Sequence, residues 1–133
     1  MKFCLVDRVL EQGPERIVAV KHVSLAEEYL QDHFPGFPVL PGVLMLEAMV
    51  QAARRLVTAE SGDRVVLGGV HALKYGAMVR PGEVLRVEVT TSGPDGDGVY
   101  KCRGTGIVRR DDESKSEETA VSGRFTMRPV RRN

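Results

Sequence analysis

The sequence contains no tryptophan, two cysteines and only 5% aromatic residues among 133. Cys4 and Cys102 have no companions at metal-ligand spacing. That excludes a disulfide framework and a thiolate zinc site, and both read as structural thiols. An excess of either charge is also missing. Nineteen basic and 18 acidic residues leave a net charge of +1, so no electrostatic footprint points to nucleic acid. The basic residues are scattered apart from Arg128, Arg131 and Arg132, which read as a solvated tail. Long hydrophobic runs are absent too. The longest stretch without Asp, Glu, Lys or Arg, 33–46, is broken by Pro35, Gly36, Pro38, Pro41 and Gly42, which excludes a membrane span there. The opening MKFCLVDRV carries an acid at position 7, so no secretory signal is expected in it. One cytoplasmic domain covering 1–133, without internal repeat or linker, is the expectation.

Five prolines or glycines in ten positions make 33–42 a loop of restricted shape. Pro41 suits the start of a helix, because its missing N–H would be unpaired there in any case. Gly62 suits a left-handed C-cap. A helix over 42–61 follows, with Arg54 and Arg55 toward the negative end of its dipole. Its apolar residues from Val43 to Val57 surround the cylinder, so its first half is expected to be buried on nearly all sides. Strands are expected at 16–23, 64–78, 83–91, 98–109 and 117–127, and a strand or helical turn at 3–10. A single helical turn is expected at 27–30. The alternation of Leu85, Val87 and Val89 with Arg86 and Glu88 is that of a half-buried strand. Strands joined by tight turns, with no strand–helix repeat, favour an antiparallel sheet wrapped on one apolar helix, an α+β arrangement.

Two side chains stand out. Glu47 is a charge on an apolar helix, which requires a partner, a proton or a cavity. Taken alone it reads as a structural ion pair or hydrogen bond to a strand. His33 taken alone reads as a residue capping a turn. Together they supply chemistry beside a carbonyl. A neutral histidine is a base suited to neutral pH. Free N–H groups at Gly42 and Val43, at the positive end of the helix, can stabilise a developing oxyanion. A carboxyl in apolar surroundings can hand a proton to a leaving hydroxyl. Spacing leaves open whether Glu47 faces His33 of its own chain or of another.

The run His33-Phe34-Pro35-Gly36, Pro38, Pro41-Gly42-Val43-Leu44, Glu47-Ala48 and Gln51 resembles the signature of the 3-hydroxyacyl-acyl-carrier-protein dehydratases of the FabZ type. Val79-Arg80-Pro81-Gly82-Glu83 with Leu85 resembles that family's Pro-Gly-acid turn. The resemblance implies the hotdog fold, with His33 as catalytic base, Glu47 as catalytic acid and the Gly42 N–H on the thioester carbonyl. Glutamate rather than aspartate at position 47 implies dehydration without double-bond isomerisation. The resemblance also implies a homodimer, alone or as a trimer of dimers, whose sites pair His33 of one chain with Glu47 of the other. Gln51, one turn beyond Glu47, is placed to orient it. The implied partner is an acyl carrier protein bearing a 4'-phosphopantetheine-linked acyl chain, and neither metal nor cofactor is required. Where the family carries an aromatic, basic residues and a proline before its turn, this chain has Lys74-Tyr75-Gly76-Ala77-Met78. Lys74 and Arg80 are therefore the carrier-docking candidates. A hotdog thioesterase and a non-catalytic acyl- or carrier-binding subunit are the alternative readings. The charged segment 109–118 is longer than a tight hairpin needs.

Overall fold

The computed structural model describes residues 3–110 and 116–130. The centre of the charged 109–118 segment and the tail arginines 131 and 132 lie outside them. Six strands and one long helix follow in chain order: β1 Arg8–Gln12, β2 Arg16–His22, α1 Gly42–Ser61, β3 Val65–Tyr75, β4 Val84–Pro94, β5 Tyr100–Arg109 and β6 Glu117–Pro129. A 3-10 turn, Glu28–Leu30, stands between β2 and α1. The strands form one antiparallel sheet in the order β1-β2-β4-β5-β6-β3. This is the α+β hotdog arrangement, a central helix wrapped by a curved sheet.

The local signals do their expected work. The Pro41 carbonyl accepts from the N–H groups of Leu44 at 3.0 Å and Met45 at 3.3 Å, which starts α1. Gly62 adopts φ 74 and donates its N–H to the Thr58 carbonyl, ending the helix where a left-handed residue is cheapest in glycine. On β4, Leu85, Val87 and Val89 are buried while Arg86 and Glu88 face solvent. The buried face of the sheet meets Met45, Ala48, Met49, Ala52, Ala53 and Leu56 of α1. Contact between helix and β5 is close: a Cβ on Gly104 would lie 2.6 Å from the Met49 sulfur. Burying a side chain such as Leu56, which has no exposed surface, contributes about 2 kcal/mol.

Two expectations need correction. The segment 3–10 forms a strand only from Arg8: Phe3 and Leu5 bond to Gln51 of the helix, and pairing with β2 starts at the Asp7 N–H on the Val20 carbonyl. The start of α1 is not buried on all sides: Val43 is 66% exposed, and Leu44 and Leu46 are half-buried. The sheet of one chain covers the middle of the helix and leaves its first turns partly bare. Arg54, in the C-terminal half of α1 as expected, donates its Nε to the Val65 carbonyl at 3.2 Å and ties the helix to β3. Strand β3 itself lies at a sheet edge, paired on one side with β6. Val70 and Tyr75 are exposed along it. Among the described residues no helix is long and apolar enough to cross a membrane.

Candidate active site

The loop before α1 is built from its outer turn inward. Phe34-Pro35-Gly36-Phe37 is a tight turn, with proline at its second position and Gly36 at φ 77 in its third, the combination a type II turn selects. The Phe37 N–H donates to the Phe34 carbonyl at 3.0 Å, and the Phe34 N–H to the Phe37 carbonyl at 3.1 Å. The flanking residues then pair: the Val39 N–H donates to the His33 carbonyl at 2.8 Å. The next residue, Leu40, donates its N–H to the carbonyl of buried Val79 at 2.8 Å. The histidine is thereby anchored through Val39 and Leu40 to the turn ahead of β4.

His33 is half-buried, stacked on Phe34 with ring centroids 4.4 Å apart. Its Nδ1 lies 3.0 Å from the Val39 carbonyl. A carbonyl only accepts, so Nδ1 carries the hydrogen, and in the neutral ring Nε2 keeps its lone pair. The backbone thus selects the tautomer a base requires.

Gly42 and Val43 are the first two residues of α1, and neither N–H meets an acceptor among the described residues. The first turn holds no acidic side chain, so the positive end of the helix is not compensated by its own residues. The ring of Tyr75, at the end of β3, lies directly on Gly42: a Cβ there would come within 2.8 Å of Tyr75 Cε1. Burial pushes the Tyr75 hydroxyl above its usual range. This contact links residues far apart in sequence, and the motif alone gave no sign of it.

Glu47 is half-buried and accepts from Gln51 Nε2 at 3.1 Å on its Oε1. It forms no ion pair and no bond to a strand among the described residues, unlike the structural alternative read from its position. Gln51 also accepts from the Leu5 N–H at 2.6 Å and donates to the Phe3 carbonyl at 2.9 Å, so the chain's start reaches the site. No hydrogen bond joins His33 to Glu47 within the described residues; the helix start and the acid stand on one element, the histidine on another.

Of the carrier-docking candidates, Lys74 is exposed near the end of edge strand β3. The Arg80 guanidinium lies 4.3 Å from the centroid of exposed Phe37, a cation–π contact. Glu83 of the Pro-Gly-acid turn is structural. It accepts from the Arg80 N–H at 2.7 Å and pairs with Arg110 at 2.8 Å, while Gly82 takes φ 88. A second unforeseen feature is Lys21, buried on the helix side of β2 and ion-paired to Glu27 and to Asp7. Its place between Ala19 and Val23 in the inward-facing alternation was the available signal. Among the described residues no cluster of three or more histidine, cysteine or acidic side chains could hold a metal.

Residues 1–113 match the family model described as a FabA-like domain. The chain is 42% identical over 122 residues to the 3-hydroxyacyl-[acyl-carrier-protein] dehydratase FabZ of Symbiobacterium thermophilum, covering 88% of this chain and 83% of that protein. To the FabZ dehydratase of Geobacter metallireducens it is 42% identical over 97 residues, 68% of this chain and 65% of the relative's length. Among solved structures, the dehydratase heterocomplex ApeI:P from Xenorhabdus doucetiae superposes with a TM-score of 0.68 at 15% identity, covering 95% of this chain and 98% of that one. At that identity the likeness shows the fold.

Proposed function

The chain belongs to the FabA-like family, and from that premise we propose that it dehydrates (3R)-3-hydroxyacyl chains, carried as thioesters on an acyl carrier protein, to trans-2-enoyl thioesters. His33 Nε2 removes a proton from C2, whose acidity rises as the thioester carbonyl accepts from the Gly42 N–H. The C2–H electron pair forms the double bond, the C3–O bond breaks, and Glu47 protonates the departing hydroxyl as water. The observation that carries this reading is the Nδ1 contact to the Val39 carbonyl, since it leaves the lone pair of His33 on the outward nitrogen. The carrier docks on the basic rim around Lys74 and Arg80, and the reaction takes place in the cytoplasm.

The working unit of this proposal is a homodimer, alone or as a trimer of dimers, in which each site takes His33 from one chain and Glu47 from its partner. Three features support it: the open edge of β3, the bare apolar start of α1 with Val43 exposed, and, among the described residues, the absence of a bond between His33 and Glu47.

The test is turnover of crotonyl and 3-hydroxyacyl thioesters by wild type, His33→Ala and Glu47→Gln. Each variant should lose at least about two orders of magnitude. The two inactive variants, unfolded and refolded together, should then recover about a quarter of wild-type activity, because half of the random dimers hold one intact site. No recovery would place base and acid in one chain. A wild type silent on carrier-bound substrates would remove the dehydratase assignment.

A further inference from the structure

One amide makes three hydrogen bonds at Gln51. Its Oε1 accepts from the Leu5 N–H at 2.6 Å, and its Nε2 donates to the Phe3 carbonyl at 2.9 Å and to Glu47 Oε1 at 3.1 Å. An amide side chain offers one acceptor oxygen and two donor hydrogens, so both hydrogens and the oxygen are engaged. The two backbone groups decide which way the amide points. The Leu5 N–H only donates and the Phe3 carbonyl only accepts. Turned by half a rotation, the amide would set its NH₂ against the Leu5 N–H and its oxygen against both the Phe3 carbonyl and the Glu47 carboxyl. Both backbone contacts would be lost, and a hydrogen bond of this kind contributes about 0.5–1.5 kcal/mol.

We infer that residues 3–5 are a positioning element for Glu47, acting through Gln51, and that they assign the transferable proton of the acid to Oε2. With Oε1 occupied as an acceptor, the hydrogen of the neutral carboxyl belongs on the other oxygen, the one free to face a leaving hydroxyl. This deepens the dehydratase reading and rests on Glu47 being its acid.

The element is itself firmly held. Leu5 and Val6 are buried in the core. The Asp7 N–H donates to the Val20 carbonyl at 2.9 Å, and the Asp7 carboxylate accepts from the His22 N–H at 2.7 Å. A segment stitched to β2 therefore sets the rotation of a side chain in the middle of α1. Positioning of this kind acts on the rate, because reacting groups displaced by a fraction of an ångström lose much of their effect.

The test is a set of double-mutant cycles read in kcat and KM. Gln51→Met keeps the length of the side chain and removes its polar atoms. Leu5→Pro keeps an apolar residue and removes the N–H. Each should lower kcat roughly tenfold while KM stays within about twofold, with the thermal melt recording the fold. In a Glu47→Gln background neither should cost more than about twofold, because the group they position is gone. Losses that add in full to that of Glu47→Gln, or a Gln51→Met enzyme with wild-type kcat, would overturn the inference. If Leu5→Pro does not fold, a chain opened with methionine at position 4 deletes the Phe3 carbonyl and keeps the Leu5 N–H; it should show the same fall in kcat, and an unchanged kcat counts against the inference. A Glu47→Gln enzyme with full activity would instead refute the acid role itself, so the two failures are separable.

Discussion

Replacing Gly42 with alanine separates the role of the helix start from its stability. The new Cβ would lie 2.8 Å from Tyr75 Cε1 and 2.9 Å from Cζ. Carbon atoms in favourable contact sit about 3.5–4.0 Å apart, so the ring must retreat by about 0.7 Å. Tyr75 is 51% exposed and has room to do so, which keeps the overpacking cost near the lower end of about 1–3 kcal/mol. Alanine returns up to about 1 kcal/mol of helix propensity. The two nearly cancel, and the melting temperature should move by no more than about 5 °C. Turnover responds differently. The Gly42 N–H is the proposed donor to the thioester carbonyl, and shifting it together with the Tyr75 ring should lower kcat by about tenfold to a hundredfold. Thermal melts and steady-state kinetics on a crotonyl thioester measure both. With Tyr75→Ala in the same chain the overlap disappears, and Gly42→Ala should then cost less than about twofold relative to Tyr75→Ala alone. A Gly42→Ala enzyme working at wild-type rate would refute the assignment of the carbonyl to this helix start.

Other consequences concern stability and reactivity. Lys21→Met leaves the Glu27 and Asp7 carboxylates without their buried cation and should cost roughly 3 kcal/mol in urea unfolding at pH 7. Burial works against the charged form of Glu27, but hydrogen bonds from Lys21 and from the Ser24 N–H outweigh it and hold its carboxyl below the usual range. A depressed folded pKa gives stability that is present above the unfolded value, about 4.3, and is lost as pH falls through the folded one. The gap between wild type and Lys21→Met should accordingly narrow below about pH 4, and a constant gap would refute the pairing. Burial pushes the Cys102 thiol up to about 11, whereas Cys4 is exposed. Ellman's reagent at pH 8 should therefore titrate one thiol in the native protein and two after unfolding. Leu56→Ala empties a fully buried site between helix and sheet and should cost about 3 kcal/mol, measured as a shift in the denaturation midpoint.

What the sequence made legible was whatever a few neighbouring residues decide. Pro41 and Gly62 bounded α1 at the observed residues, and Pro81-Gly82 and Gly96–Gly98 marked turns whose strands begin within two positions of expectation. The Gln51–Glu47 bond follows from helical spacing. Contacts between distant segments were illegible. Nothing local announces that Tyr75 will lie on Gly42, or that Leu5 and Phe3 will bind the Gln51 amide. The helix start was misjudged for a related reason: an apolar turn looks the same in sequence whether its own sheet or another molecule covers it. The charge on Lys21 disguised an inward position that the alternation of its neighbours had already fixed.

The separation of His33, on the loop, from Glu47, on the helix, has a genetic consequence. On the two-chain reading each gene encodes one half of two different sites, so an allele lacking the base and an allele lacking the acid complement each other in one cell. A duplicated gene could then divide the labour. One copy would keep His33 and be free to lose Glu47, the other the reverse, and selection would hold both copies as long as they pair. The fold thus leaves a route from a self-pairing protein to an obligate couple of unlike siblings, open at a single substitution in each.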